Sequence, residues 1–234
     1  MIIGDGIIAK RFDSYSNSRD VLIFDCGLLN SKEVRPEVFA EKTEMLHQAI
    51  ERTADSGLFV YFSTCSVYDI DEQQSMYVKH KLEMEKVIET KVSNYLIFRK
   101  SQIVGRNSCN TSIINYFIDA IVNDREFNLW KNAGRNLIDI DDIYAIADYL
   151  ITNRTFMNKS INLANPYNMS VFDILKTVEL FFDKKAKYVS YNKGTDYAID
   201  ISDVEPYLTK IGVKFGKKEY LLSLLRKYYD SAHQ

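Results

Sequence analysis

The sequence is poor in residues that build disulfide frameworks, metal clusters and flexible linkers. Its 234 residues include three cysteines, three histidines and three prolines, all widely spaced. An odd number of scattered cysteines predicts no disulfide framework, and the scattered histidines offer no metal-ligating cluster. Few prolines and no low-complexity stretch indicate that no flexible linker separates the parts of the chain. We therefore expect no metal site and a closely packed molecule.

Long apolar runs and an excess of one charge sign are also missing. No run approaches the ~18 apolar residues that a membrane-spanning helix needs, and the N-terminus lacks a basic region leading into a signal-peptide core. The formal net charge of -2 gives no bulk attraction for nucleic acids or membrane surfaces. With 46% apolar and 26% charged residues, the composition is ordinary for a soluble globular protein. We expect a cytoplasmic protein without nucleic-acid or membrane partners.

The chain opens with a short apolar strand that runs into a glycine-rich turn. The turn, Gly4-Asp5-Gly6-Ile7-Ile8-Ala9, has the form Gly-x-Gly-x-x-Ala. Glycines allow a tight turn and let backbone N–H groups at a helix N-terminus approach a pyrophosphate, as in dinucleotide-binding proteins. We interpret Gly4, Asp5, Gly6, Ile7 and Ile8 as cofactor-binding residues.

The next predicted strand, residues 20–24, begins only about ten residues after the glycine turn and leads into Asp25-Cys26-Gly27. Two interpretations compete. In the first, this is the second strand of the domain, and Asp25 binds the adenosine ribose. In the second, the usual second and third strands are missing, and Asp25, Cys26 and Gly27 form a loop beside the cofactor.

A candidate catalytic group follows the strand predicted at residues 58–64. This β-branched and aromatic run ends at small hydroxyl residues, as a buried strand does where it delivers side chains to a site. Tyr77 and Lys81 then come four residues apart, so a helix places them on one face. A tyrosine transfers protons near neutral pH only if its pKa of ~10 is lowered, which a nearby ammonium achieves. Only Tyr77, of sixteen tyrosines, has a lysine at this spacing. We interpret Tyr77 as the residue that transfers the proton, with Lys81 lowering its pKa and Thr64 holding the reacting oxygen. The alternative is that Tyr77 and Lys81 are only surface residues of a helix.

Strands and helices alternate through the first half, which predicts an α/β fold: a parallel sheet with helices on both faces. Apolar spacing predicts helices near residues 36–53, 75–90, 111–123, 141–152, 170–182 and 217–230. Further short strands are predicted near residues 95–99, 127–130, 160–163 and 187–190. We divide the chain into a dinucleotide-binding domain, residues 1–160, with a substrate-lobe insertion near 105–135, and a small C-terminal substrate lobe, residues 161–234.

Five motifs, taken in order, resemble the extended short-chain dehydrogenase/reductase family, the NAD-dependent epimerases and dehydratases of nucleotide sugars. They are Gly4–Ala9, Ser63–Tyr68, Tyr77–Lys81, Arg99–Gly105 and Arg135–Ile143. The resemblance implies a Rossmann-type fold, NAD or NADP as cofactor, a nucleotide-sugar substrate, a homodimer, and a setting in surface-polysaccharide precursor synthesis. It also favours the second interpretation of residues 20–27, because this strand stands one helix before the Thr64 strand, as the family's fourth strand does. The adenosine-binding half is then shortened, and NAD versus NADP stays open. We interpret Lys10 and Arg11 as solvated surface residues; the alternative is that one of them meets a 2′-phosphate.

The resemblance implies roles for individual residues. Thr64 and Tyr77 bind the sugar oxygen that is oxidised or reduced, and Lys81 also holds the nicotinamide ribose. Ser63 and Lys100 are expected beside the cofactor. The expected substrate contacts are Cys65, Ser66, Gln102, Trp130 and Arg135. The guanidinium of Arg135 can bind two oxygens of a diphosphate at once. Trp130 stands where members of the family contact the nucleotide base, and the alternative for Trp130 is packing in the core.

Two positions depart from the family pattern and narrow the expected reaction. Family dehydratases carry an Asp-Glu pair directly after the position of Thr64, where this chain has Cys65 and Ser66. Neither is a carboxyl acid or base, so keto-reduction or 4-epimerisation by hydride transfer is favoured over dehydration. We interpret Cys65 as a small residue lining the pocket rather than a nucleophile. The rival functions are a non-catalytic sugar-nucleotide or dinucleotide sensor, a nucleotide-sugar dehydratase and a reductase of small carbonyl compounds.

Overall fold

The computed structural model describes residues 1–26, 32–53, 57–106 and 112–230. The strands are β1 (Ile2–Ile3), β2 (Val21–Phe24), β3 (Leu58–Thr64), β4 (Tyr95–Lys100), β5 (Gln102–Val104), β6 (Phe127–Trp130), β7 (Gly134–Arg135), β8 (Leu137–Asp139), β9 (Lys159–Leu163), β10 (Met169–Ser170) and β11 (Tyr188–Tyr191). The helices are α1 (Ile7–Arg11), α2 (Pro36–Glu51), α3 (Met76–Lys91), α4 (Ile113–Val122), α5 (Ile140–Thr152), α6 (Val171–Phe182), α7 (Glu205–Ile211) and α8 (Lys218–Tyr229).

Five strands form a parallel sheet in the order β1-β2-β3-β4-β9. All seven residues of the central strand β3 are buried, because helices cover both faces of the sheet. A strand buried on both faces carries a continuous apolar run rather than an alternating pattern. The predicted Rossmann-type α/β fold is therefore confirmed.

Alternate residues of β3 belong to two different apolar layers. Val60 and Phe62 pack with residues of α1 and α5 on one face, whereas Phe59 and Tyr61 pack with residues of α2 and α3 on the other. The next residue of β3 on the second face is Ser63, so that the α3 side of the sheet becomes polar at its C-terminal edge. Ligands of open α/β sheets bind at this edge.

The edge strand β1 shows how the domain is shortened. A dinucleotide-binding domain usually has the strand order 3-2-1-4-5-6, with two strands beyond the first. Here β1 pairs only with β2 among the described strands, and residues 12–20 run from α1 to β2 through a 3-10 turn, Asp13–Tyr15. Since β2 lies between β1 and β3, it occupies the place of the usual fourth strand. The strand placement of the second interpretation is thus correct, and that of the first, which made this the second strand of the usual order, is wrong. That residues 25–27 lie beside a cofactor stays a prediction.

Helices α4, α6 and α8 and strand β6 pack around a third apolar cluster. Helix α7 was not predicted, because it is only seven residues long and none of its residues is fully buried, so its apolar pattern is too short to stand out. Pro206 in its first turn and Gly212 at its end, with φ +84°, are the signals that could have found it. Within the described residues, no helix combines the length and apolar character needed to cross a membrane.

Candidate active site

The C-terminal ends of β3 and β4 open onto a cavity of about 970 Å³. The predicted site residues that line it are Asp5, Gly6, Ile7, Thr64, Cys65, Ser66, Tyr77, Lys100, Gln102 and Arg135. The predicted residues that do not line it are Gly4, Ile8, Asp25, Cys26, Ser63, Lys81 and Trp130. Gly27 lies outside the described residues. The cavity therefore joins the glycine turn, the catalytic candidates and the candidate substrate residues.

The start of α3 fixes the position of Tyr77. Ser75 caps the helix, accepting a hydrogen bond from the N–H of Val78 at 3.2 Å, which satisfies a free donor of the first turn. Tyr77 therefore stands in the first turn and is largely buried, with 7% of its surface exposed. One turn later, the buried Lys81 donates a hydrogen bond to the carbonyl of Phe62 at 3.2 Å. The helical spacing thus brings both side chains to the end of the central strand.

Neighbouring groups lower the pKa of Tyr77 below its ordinary value. Burial opposes ionisation, but the ammonium groups of Lys81 and Lys100 and a hydrogen bond with Thr64 outweigh it, so the pKa of Tyr77 is lowered. The pKa of Lys81 is itself lowered by burial, against the attraction of Tyr77. A phenol of this kind can exchange a proton with a bound hydroxyl or carbonyl oxygen near neutral pH.

The residues after β3 form a 3-10 turn, Cys65–Tyr68, that is held by Thr64. The Thr64 hydroxyl accepts a hydrogen bond from the N–H of Ser66 at 3.1 Å. The thiol of Cys65 donates to the carbonyl of Arg99 at 3.0 Å, and burial raises its pKa to about 12. A thiol with so high a pKa stays protonated and unreactive, which agrees with the interpretation of Cys65 as a lining residue.

Sequence reasoning missed a buried ion pair behind the cavity. Glu85 on α3 binds Arg99 on β4 through a contact of 2.5 Å between Oε2 and Nη2, and the hydroxyl of Ser63 donates to the same carboxylate. Glu85 continues the four-residue spacing of Tyr77 and Lys81 along one helix face, which was a signal for the position of Glu85 but not for its pairing with Arg99. Ser63 is thus tied to a carboxylate behind the strand ends and does not line the cavity.

The glycine turn is built around Asp25. Gly4 has φ +136°, and a Cβ there would lie 2.6 Å from the Asp25 carbonyl oxygen. The N–H of Ala9 donates to the Asp25 carboxylate at 3.2 Å. Burial raises the pKa of Asp25, opposed by the ammonium groups of Lys100 and Lys81. Only glycine fits the turn at position 4, because the backbone of Asp25 fills the space that a side chain would need.

Two buried polar atoms beside the cavity have no protein partner. They are Ser101 Oγ and Gln102 Oε1, and both residues line the cavity. Buried polar groups almost always find a partner, so these atoms fit a site that is completed by a ligand. Arg135 stands on β7 at the same cavity, with Nη1 donating to the carbonyl of Gly134 at 2.7 Å.

Trp130 lies apart from this group. It is 50% exposed on β6, so the alternative of core packing is wrong. Its register partner on the neighbouring strand β11, Tyr191, is also exposed, at 41%. The expected contact with a nucleotide base stays a prediction.

A model of the NAD dependent epimerase/dehydratase family matches residues 26–164, more than half of the chain. The fold is a Rossmann-type α/β fold, and the chain belongs to the NAD dependent epimerase/dehydratase family. The glycine turn, residues 4–9, lies before the matched segment.

Solved structures share the fold at low sequence identity. RMD from Pseudomonas aeruginosa, complexed with NADPH, is similar with a TM-score of 0.72 and 14% identity, over 96% of each chain. A UDP-glucuronic acid 4-epimerase from Bacillus cereus, in complex with NAD, gives 0.68 and 17%, over 92% of this chain and 76% of that chain. WbmG from Bordetella bronchiseptica, in complex with NAD and UDP, gives 0.66 and 14%, over 95% and 77%. A search of curated protein sequences gave no match.

Proposed function

We propose that the protein is an NAD(P)-dependent oxidoreductase or epimerase that acts on a nucleotide-linked sugar. The observation that carries the proposal is the placement of Tyr77 at the cavity wall, with Thr64 beside it and the ammonium groups of Lys81 and Lys100 lowering its pKa. This arrangement exchanges a proton with a substrate oxygen. Membership of the NAD dependent epimerase/dehydratase family supports the cofactor and the substrate class.

The nicotinamide cofactor, when bound, gives or takes the hydride. The glycine turn with Asp5, Ile7 and Ile8 would hold its phosphates, since the backbone at Gly4 and Gly6 carries no side chain. Lys81 and Lys100 would stand beside its nicotinamide ribose. The unpartnered Ser101 Oγ supports a ligand at this end of the cavity.

The chain's own residues carry the proton. In reduction of a keto-sugar, Tyr77 gives its hydroxyl proton to the substrate oxygen, and in oxidation the phenolate takes it back. The nearby ammonium groups stabilise the phenolate, and the Thr64 hydroxyl hydrogen-bonds to the same substrate oxygen and orients it. Proton transfer by a positioned side chain is worth roughly 10²–10⁴-fold in rate.

Hydride transfer without dehydration is favoured by the residues after Thr64. The Cys65 thiol is held protonated by burial, and Ser66 has only a hydroxyl. Removal of water across a carbon–carbon bond needs an acid and a base at these places. We therefore propose keto-reduction or 4-epimerisation rather than a dehydratase reaction.

We assign the substrate diphosphate to Arg135 and its sugar to Cys65, Ser66 and Gln102. Arg135 supports this assignment because a guanidinium binds phosphate oxygens in pairs. We extend the proposal to Trp130 as a contact for the base, to residues 161–234 as the lobe that holds the substrate, and to a homodimer in surface-polysaccharide precursor synthesis. The motif order of the family supports these last assignments.

Replacement of the phenol by a phenyl ring tests the proposal. We expect Tyr77→Phe to lower turnover of nucleotide-linked keto-sugars by about 100-fold or more, with NADH or NADPH as reductant and with ligand binding retained. Tyr167→Phe is the matched control, because Tyr167 is exposed and lies outside the cavity. The second candidate function is a non-catalytic sensor, which the shortened adenosine-binding half of the domain favours. This candidate gains support if the wild type turns over no tested keto-sugar and Tyr77→Phe changes only the binding of the ligand.

A further inference from the structure

We propose that this protein holds its dinucleotide cofactor by the nicotinamide mononucleotide half, and that the adenosine half adds little binding free energy. The inference rests on the proposed function and concerns how the same site recognises its cofactor. It predicts that NADH, NADPH and reduced nicotinamide mononucleotide bind with similar affinity.

The strand order at β1 differs from that of the usual dinucleotide-binding domain. In a dinucleotide-binding domain the strand that follows the first βα unit lies beyond the first strand, and an acidic residue near its end hydrogen-bonds to the adenosine ribose. Here α1 leads directly to β2, which pairs with the inner edge of β1. In the described part of the chain, the other edge of β1 has no strand beside it.

The connecting segment does not take the place of the missing strands. Phe12 is fully buried, and its ring centroid lies 5.2 Å from that of Phe62 and 5.0 Å from that of Tyr144 on α5. The hydroxyl of Tyr15 donates to Asp148 on α5 at 2.7 Å. Residues 12–15 therefore pack against α5 on the α1 face of the sheet and leave the free edge of β1 unextended.

The cavity lining agrees with this placement. From the described residues before Thr64, the lining is limited to Asp5, Gly6, Ile7, Lys10 and Arg11. Arg11 is already engaged, because its Nε donates to Asp141 at 2.5 Å and its guanidinium lies 3.7 Å from the centroid of the Tyr144 ring. Asp5 stands in the glycine turn itself and Lys10 is exposed on α1, so among the described residues no acid follows a strand beyond β1, where the usual ribose-binding acid stands.

The nicotinamide end of the cavity, by contrast, has several charged and polar side chains. Tyr77 and Lys100 line the cavity, Lys81 lies directly behind them, and Ser101 offers a buried hydroxyl without a partner. The ammonium groups of Lys81 and Lys100 both act on the carboxylate of Asp25, and Lys81 is also close to Tyr77 and to the carboxylate of Glu85. A pair of ammonium groups beside Tyr77 suits the one phosphate of a mononucleotide, because ammonium groups bind phosphate as point charges.

Titration of the purified full chain with three reduced nucleotides tests the inference. Nucleotide fluorescence gives the Kd of NADH, NADPH and reduced nicotinamide mononucleotide, and we expect the three values to agree within about tenfold, or about 1.4 kcal/mol. AMP at millimolar concentration should displace none of them. A mononucleotide Kd more than about tenfold above that of NADH, or AMP competition, overturns the inference.

The variants separate this inference from the proposed function. Lys81→Met should weaken all three nucleotides by the same factor, since it removes a charge at the end they share. If NADH binds and drives turnover that depends on Tyr77, but the mononucleotide binds more than about tenfold weaker, the inference alone is wrong. If none of the three binds and no keto-sugar is turned over, both the inference and the proposed function are wrong.

Discussion

The carboxylate of Glu85 accepts three hydrogen bonds from the guanidinium of Arg99, two from Nε at 3.1 Å and one from Nη2 at 2.5 Å. The pair joins α3 to β4, and the Ser63 hydroxyl adds β3 to the same carboxylate. Glu85 lies two helical turns after Tyr77 and is 3% exposed. The ion pair thus fixes the helix that carries Tyr77 against the two strands that end at the cavity.

Removing the Glu85 charge should destabilise the fold. In Glu85→Gln the Arg99 guanidinium, which is only 22% exposed, keeps its charge without a counter-charge, a change that costs about 3–5 kcal/mol. Urea denaturation measures the free energy of unfolding. Glu89→Gln is the control, because Glu89 is exposed on the same helix. A Glu85→Gln protein within about 1 kcal/mol of the wild type would contradict this role for the pair.

The Lys81 charge should set the pH at which Tyr77 can act as a base. Burial opposes the phenolate, and Lys81 is the largest of the effects that lower the pKa of Tyr77. In Lys81→Met this pKa rises, so the rate of sugar oxidation, which needs the phenolate, should increase only at higher pH than in the wild type. The measurement is kcat/KM against pH. In Lys100→Met the pH at which kcat/KM rises should shift less. If this pH does not shift in Lys81→Met, Lys81 does not set the pKa of Tyr77.

Arg135 should discriminate between substrates with and without a diphosphate. A hydrogen bond to a charged group contributes about 1.5–3 kcal/mol, so we expect Arg135→Ala to raise KM for nucleotide sugars by about tenfold to 100-fold. Small carbonyl compounds should be reduced as before. Arg125→Ala is the control, because Arg125 is half exposed and pairs with Asp119 away from the cavity. Equal loss for both substrate types would point to a structural role instead.

Asp142 should make stability depend on pH. It accepts a hydrogen bond from the Tyr220 hydroxyl at 2.5 Å, and burial, the largest effect, raises its pKa to about 6. Between pH ~4 and ~6 the folded protein then binds more protons at this site than the unfolded chain, so its contribution to stability falls as pH rises. Asp142→Asn cannot titrate. The unfolding free energy of the wild type minus that of the variant should therefore fall between pH ~4 and ~6 and stay constant above pH ~6. A difference that does not change with pH would show that Asp142 has no such effect on stability.

Local pattern was enough to predict most of the fold and the centre of the site. Continuous apolar runs predicted β3 and β4, and the four-residue spacing predicted that Tyr77 and Lys81 share a helix face. Strand ends in a parallel sheet meet at one edge, which is why Thr64 and Lys100 are register partners. Each of these inferences needs only residues close together in the chain.

Features that depend on distant pairings were not predicted. The contact of Glu85 with Arg99 requires the register of α3 over β4, and no local pattern gives that register. The exposure of Trp130 depends on the pairing of β6 with β11, and four strands and two helices separate these two strands in the chain. Burial of Cys26 and the contact of Asp25 with the glycine turn likewise depend on β2 lying beside β1.

The unit β3–α3–β4 carries every group that we assign to the proton transfer, together with the ion pair that holds it. None of these groups belongs to β1, whose outer edge lacks the two usual strands among the described residues. The unit is therefore a separable module of this architecture. An evolving chain could lose cofactor-holding strands at one side of the sheet and still keep the proton-transferring groups of this unit. Recognition of the nucleotide and the reaction at the substrate could then change independently.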